Sequence, residues 1–236
     1  MKNIAIFGFK DSFTGQLINM LDSKYKKRLS CIISSNKIIK INIKNEKKKI
    51  PNKKTEFITK KKIFNLPVYD QKDFIKILKK KKIKFVFIME DKGILRRNVF
   101  QKIKDTNIKI LSYIHKSAKL MGINDIGEGT IIFPDCYIGY KTDIGKGCII
   151  QSGTRIEHHS TVGNFCDINP NLTTGGFTKI GDFCEINISV DIINKINIGD
   201  NVRLGAGSLI LKDVPSNHLQ FGRPAKFIRF NANLNL

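Results

Sequence analysis

From residue 126 the chain repeats every six residues, and no other feature constrains its fold as strongly. The anchors are Ile126, Ile132, Ile138, Ile144, Ile150, Ile156, Val162, Ile168, Thr174, Ile180, Ile186, Ile192, Ile198, Leu204 and Ile210: 15 successive hexads without an insertion, all aliphatic except Thr174. Ile114 and Leu120 carry the same phase upstream. Four residues after each anchor stands a second restricted position, mostly small or β-branched, as in Thr130, Cys136, Thr142, Cys148, Thr154 and Ser160. Glycine often follows the anchor directly, as at Gly127, Gly139, Gly145, Gly163, Gly175, Gly181, Gly199 and Gly205. One large and one small inward residue per hexad suit a three-sided prism, each hexad making a short strand and a corner. Three hexads then close one 18-residue coil, and 15 hexads make about five coils. Neighbouring coils pair by parallel hydrogen bonds at about 4.8 Å, with the anchors stacked into aliphatic ladders. The glycines are expected at corners that turn with positive φ.

This phase also accounts for the cysteines. Cys136, Cys148, Cys166 and Cys184 all fall on the small inward position, and only Cys31 lies outside the repeat. They read as packing residues, and with no CxxC pair a zinc knuckle is not expected. Charge divides the chain in two: residues 1–115 hold 30 Lys/Arg and 9 Asp/Glu, and residues 116–236 hold 12 and 11. A basic surface attracts polyanions, so nucleic acid has to be weighed. The Lys runs carry few interleaved aromatics and no nucleic-acid-binding motif, so a solvated Lys-rich surface is the preferred reading. No apolar run reaches the roughly 18 residues of a membrane span, and the N-terminus does not read as a signal peptide. A cytoplasmic protein is expected.

The first 113 residues are of another kind. Residues 3–9, NIAIFGF, read as a buried strand, followed by a helix around 14–24 with Leu17, Ile18 and Leu21 on one face. A second strand is expected at 30–35, a helix at about 70–82, a strand at 84–90 and a helix at about 94–105. That last helix carries an apolar stripe of Leu95, Val99 and Ile103, flanked by Ile94 and Phe100. Residues 36–62, rich in Lys and Asn, read as an exposed insertion. A strand, glycine turn and helix at the start suggest a Rossmann-like unit, although GFKDSFTG lacks the full dinucleotide signature and NAD is not supported. The expected organisation is an α/β Rossmann-like domain over 1–113 and a parallel β-helix over 114–236 with a C-terminal cap.

The order of these parts resembles the hexapeptide-repeat sugar-nucleotide acetyltransferases, a family that includes bacillosamine and perosamine N-acetyltransferases and sialic acid O-acetyltransferases. The likeness runs over nearly the whole chain. It is strongest from IHKSA at 114–118 to FGRPAKFI at 221–228, with IEHHSTVGNFCDINPN at 156–171 and TGG at 174–176 the most informative stretches. The resemblance implies that the β-helix is left-handed. It also implies that acetyl-CoA is the co-substrate, that no metal takes part, and that His158 is the general base for a sugar amine. Gly176 lies 18 residues beyond His158, one coil on, where its N–H would hold the thioester oxygen. Relatives usually place an acid directly after this histidine and a second histidine nine residues on; here those residues are His159 and Asp167. Glu157, His159 and Asp167 are therefore the candidates for orienting the base. Coenzyme contacts are implied at Gly175, Gly176, Asn194, Gly205, Ala206, Arg223, Pro224 and Lys226, with Arg223 and Lys226 suited to phosphates. The sugar nucleotide would be held by Gly8, Lys10, Ser12 and Ser35.

The activity implied is N-acetylation of a UDP- or dTDP-linked 4-amino sugar for a surface glycan, in a homotrimer with sites between subunits. O-acetylation of a sialic-acid-like sugar or transfer of a longer acyl group are alternatives. A polyanion-binding β-helix scaffold is a reading of another class. A zinc-dependent carbonic anhydrase on this helix is disfavoured, because His158 and His159 are adjacent and diverge on extended backbone.

Overall fold

A computed structural model describes residues 2–8, 11–34 and 62–231, and these fall into two compact units, Met1–Met89 and Glu90–Leu236. In the first unit, strand β1 (Ile4–Phe7) is buried along its length, as expected for a strand paired on both sides in a parallel sheet. It pairs in parallel with β2 (Leu29–Ser34) on one side and β5 (Phe85–Ile88) on the other. A short hairpin of β3 (Lys62–Ile63) and β4 (Leu66–Asp70) continues the sheet beyond β2. Helix α1 (Asp11–Met20) buries Leu17 and Ile18, a single turn α2 (Ser23–Lys26) follows, and α3 (Phe74–Lys80) buries Phe74 and Leu78. The first turn is tight as anticipated, with Gly8 at φ 89° and Thr14 Oγ1 donating to its carbonyl. Lys10 and Ser35 lie outside the described residues, as does the Lys-rich insertion except for Lys62.

The second unit starts well before the repeats. Helix α4 (Gly93–Lys104) buries Val99, Phe100 and Ile103 as its stripe required. Leu95, expected in that stripe, is instead 43% exposed, and the fully buried residue is Arg96. The boundary between units therefore falls at 89/90 rather than at 113/114.

From Tyr113 onward the hexads build a three-faced parallel β-helix. One face carries the strands Lys119–Leu120, Tyr137–Ile138, Arg155–Ile156, Thr173–Thr174, Asp191–Ile192 and Leu209–Ile210, each registered 18 residues from the next. A second face runs Asp143–Ile144, Thr161–Val162, Lys179–Ile180 and Asn197–Ile198. The third carries Tyr113–Ile114, Ile131–Ile132, Ile149–Ile150, Asp167–Ile168, Glu185–Ile186 and Arg203–Leu204. The anchors fill the axis, and Ile132, Ile138, Ile150, Ile168, Ile186 and Leu204 are wholly inaccessible. A hairpin of His218–Gly222 and Ala225–Phe230 covers the last coil, with Leu219 paired to Arg203.

Two local rules of the prism emerge. The small inward position is more than a space filler. Thr130 Oγ1 donates to Gly145 O and Thr142 Oγ1 to Glu157 O, while the thiols of Cys148, Cys166 and Cys184 reach Gly163 O, Gly181 O and Gly199 O at 3.0–3.1 Å. Each donor satisfies a corner carbonyl of the following coil, which explains why the site prefers Thr, Ser and Cys. The second rule corrects an expectation. Glycines directly after the anchor do not have positive φ; that conformation sits two residues later, at every sixth residue from Gly129 to Gly207, and is held mostly by other residues, His159, Phe165, Phe177 and Phe183 among them. What the corner glycines avoid is the next coil: a Cβ on Gly163 or Gly181 would lie 2.6 or 2.7 Å from its backbone.

Candidate active site

Strand Arg155–Ile156 ends in a corner, Glu157–His158–His159, before the chain turns into Thr161–Val162. Here the aliphatic ladder has its one exception. At Thr174, in the coil above, the side-chain Oγ1 and not the carbonyl accepts from Glu157 N at 3.1 Å. The backbone beside His158 is thus bound to a side chain, and only Arg155 and Thr173 pair between these two strands.

His158 and His159 are both exposed. The His158 ring lies against Gly176: a Cβ there would meet Cε1 at 2.6 Å and Nε2 at 2.7 Å. Only glycine leaves room for the imidazole on that coil. Phe177 N donates to His158 O at 2.9 Å, while the Gly176 N–H has no acceptor among the described residues. Asn194 follows in the same column; a Cβ on Gly175 would be 2.4 Å from its N. The arrangement brings an exposed imidazole and a neighbouring backbone N–H onto one corner, which is what base catalysis beside a polarised carbonyl needs. His159 has φ 56°, so its ring turns outward, stacks on Phe177 at 4.9 Å and 13°, and brings its Nδ1 to 3.0 Å from His158 Nδ1.

The two carboxylates singled out beside His158 are engaged elsewhere. Glu157 Oε1 accepts from Arg155 Nε at 2.7 Å, and Arg155 lies over the Tyr137 ring. Asp167 stands on a different face, where Arg96 Nη1 reaches it at 2.7 Å. Burial pushes the Asp167 carboxyl up from its usual value, and the Arg96 guanidinium pulls it partly back. Arg96 also donates to Gly147 O, Glu90 O, Phe165 O and Cys166 O, so the pair joins α4 to successive coils. Neither acid hydrogen-bonds to the His158 ring. Asp167 is a structural partner because the 18-residue coil carries it to the third face, whereas His158 occupies the corner between the first and second.

The expected coenzyme residues lie nearer the C-terminal end of the prism. Gly205 faces Phe221, whose ring would be 2.4 Å from an added Cβ, and Ala206 is exposed. Arg223 and Pro224 form the turn of the closing hairpin; Arg223 Nη1 donates to Asp191 Oδ2 at 2.7 Å, and Lys226 is exposed. Ser12 lies in α1 and Gly8 in the turn before it. Sequence reasoning missed Thr174, Phe177 and Arg96. Thr174 carried a signal as the one non-aliphatic anchor, and Phe177 is one coil beyond His159; Arg96 carried none. Among the described residues no cluster of side chains suits a metal ion, and no helix is long and apolar enough to cross a membrane.

A family model for the bacterial transferase hexapeptide (six repeats) matches residues 125–158. Serine acetyltransferase 2 of Arabidopsis thaliana is 52% identical over 40 residues, which are 17% of this chain and 12% of that protein, so the chain spans only a small part of this curated relative. Among solved structures, PerB from Caulobacter crescentus, in complex with CoA and GDP-perosamine, superposes with a TM-score of 0.80 at 20% identity, covering 96% of this chain and 97% of that one. The acetyltransferase domain of PglB from Neisseria gonorrhoeae, in complex with acetyl coenzyme A, gives a TM-score of 0.75 at 16% identity over 97% and 100% of the chains. The chain therefore carries the hexapeptide repeat, and its fold matches those of PerB and of the PglB acetyltransferase domain.

Proposed function

We propose that the protein is an acetyl-CoA-dependent N-acetyltransferase acting on a nucleotide-linked 4-amino sugar in surface-glycan biosynthesis. The observation that carries this reading is the exposed His158 imidazole lying edge-on to Gly176 at one corner of the prism. The same fold in PerB accompanies CoA and GDP-perosamine, and structures of that perosamine N-acetyltransferase with one histidine replaced also hold both ligands.

In this reading His158 Nε2 takes a proton from the sugar amine as its nitrogen bonds to the acetyl carbonyl carbon. The Gly176 N–H donates to the carbonyl oxygen while the carbon–sulfur bond breaks, and the proton returns to the departing thiolate. Arg223 and Lys226 would meet coenzyme phosphates, with Gly175, Asn194, Gly205, Ala206 and Pro224 lining the same site. Gly8, Lys10, Ser12 and Ser35 would hold the nucleotide on a Rossmann-like first domain. The left-handed turn of the prism, a homotrimer with shared sites and a cytoplasmic location belong to the same proposal. Light scattering at micromolar concentration tests the trimer, and a monomeric mass counts against shared sites.

His158→Ala should lower turnover by about 10²–10⁴-fold with the circular dichroism spectrum unchanged. Full activity in this variant overturns the assignment of the base. Mass-spectrometric product analysis with UDP-, dTDP- and GDP-linked 4-amino sugars, each beside its hydroxyl analogue, identifies the nucleotide and separates N- from O-acetylation.

A further inference from the structure

We infer that His159 is the positioning residue of the catalytic base, supplying a neutral nitrogen where an acid would otherwise stand. The inference rests on the proposal that His158 is the base. His158 Nδ1 and His159 Nδ1 are 3.0 Å apart with their rings nearly perpendicular, at 87°. Only one hydrogen fits between them, so one ring donates and the other accepts. To receive a proton at Nε2, His158 must carry its own hydrogen on Nδ1. His159 then has to present the lone pair of Nδ1 and keep its hydrogen on Nε2. When the sugar amine gives up its proton, His158 becomes an imidazolium whose Nδ1–H is already bonded to that lone pair. The hydrogen bond strengthens as the charge develops, and no group has to move.

The ring of His159 is held for this task. Its positive φ aims it along the corner, and it stacks on Phe177, which itself meets His158 edge-on at 5.3 Å. Tyr140 in the preceding coil closes the other side at 5.8 Å, with Lys141 over its ring. Of the charged and titratable groups around the pair, Glu157 is bound to Arg155, while Gly176 and Phe177 in the following coil are uncharged; Lys195 stands one coil further on. No carboxylate among the described residues hydrogen-bonds to either ring, which leaves the pair to orient itself.

The fold supplies two clean substitutions. Phe already occupies the positive-φ position of the hexad at 165, 177 and 183, and Asp does so at 135. His159→Phe keeps the backbone and the stack but removes the acceptor, and His159→Asp exchanges a neutral acceptor for an anion. His159→Phe should lower kcat roughly tenfold or more, because a base in the wrong tautomer is idle, with KM for both substrates within about twofold. Its acid limb in the pH–rate profile moves to lower pH. His159→Asp restores most of kcat and moves that limb to higher pH by about one unit or more, since an adjacent anion favours the imidazolium. A residue with only a structural role moves neither limb. If His158→Ala is inactive while His159→Phe keeps full kcat and an unmoved profile, this inference alone falls. If His158→Ala is active, the base assignment falls and takes this inference with it. Should His159→Phe fold poorly, His159→Asp decides alone: an upward shift supports the inference and an unmoved limb overturns it.

Discussion

A single absent methyl group sets the geometry at His158. Gly176 is needed there not for its φ but because a side chain in the coil above would occupy the space of the imidazole. Gly176→Ala should therefore rotate the ring off the corner, while the coil, whose backbone stays in an ordinary conformation, remains intact. With His158 as the proposed base, the expected outcome is a fall in kcat of roughly tenfold or more, because small displacements of such a group are costly. Thermal unfolding beside the kinetics separates displacement from misfolding, and an unchanged kcat would show that the ring can work elsewhere. Thr174 acts at the same scale. As the one polar anchor it is nonetheless buried, and its hydroxyl oxygen compensates by accepting from the backbone that leads into His158.

Among the elements, helix α4 is the one whose role the repeat does not hint at. Its apolar side covers the prism: Phe100 packs edge-on against Phe165 at 5.2 Å, and a Cβ on Gly129 would strike its ring. Arg96, with no exposed side-chain surface, gives up hydration entirely and recovers it from four carbonyls and Asp167. A buried charge of this kind is costly to break because its partners are left without a donor. Arg96→Met keeps the bulk and removes the donors, and should cost about 3–5 kcal/mol of stability. Chemical denaturation measures it, and a loss below about 1 kcal/mol would mean that water replaces the guanidinium without penalty. This contact also explains why the compact unit begins at Glu90.

For the molecule as a whole, the buried thiols set a dependence on alkaline pH. Burial pushes Cys31 and Cys136 up to about 11 from 9.0, and Cys148 and Cys166 are raised well above 9.0 for the same cause. In the unfolded chain these thiols ionise near 9.0, while the folded chain keeps them protonated. Between those values the unfolded state holds fewer protons, so stability is complete below pH 9 and falls as pH rises toward 11. Cys31 and Cys136 each contribute up to roughly 2–3 kcal/mol of that loss. The thermal midpoint should decline over this range, and less steeply in Cys136→Thr, since Thr fills the same inward position at 130, 142 and 154. An equal decline in that variant would place the effect on other groups.

The prism was legible in the sequence because its contacts are arithmetic. A side chain that meets its neighbour 18 residues away repeats with the chain, so six-residue spacing alone determined the coils, the aliphatic axis and the inward cysteines. The same arithmetic set Gly176 over His158. Which partner each polar group takes was decided by the tertiary structure. Nothing in the spacing told Asp167 from an acid beside His158, since only the folded coil carries it to the face that meets Arg96. Glu157, in the corner, was drawn to Arg155 two residues back on the strand that leads into it. His159 found His158 because its backbone is left-handed, a conformation that the hexad imposes on whichever residue occupies that position. Periodicity records the contacts that recur in every coil; a hydrogen bond made once, between elements far apart in the chain, leaves no period to read.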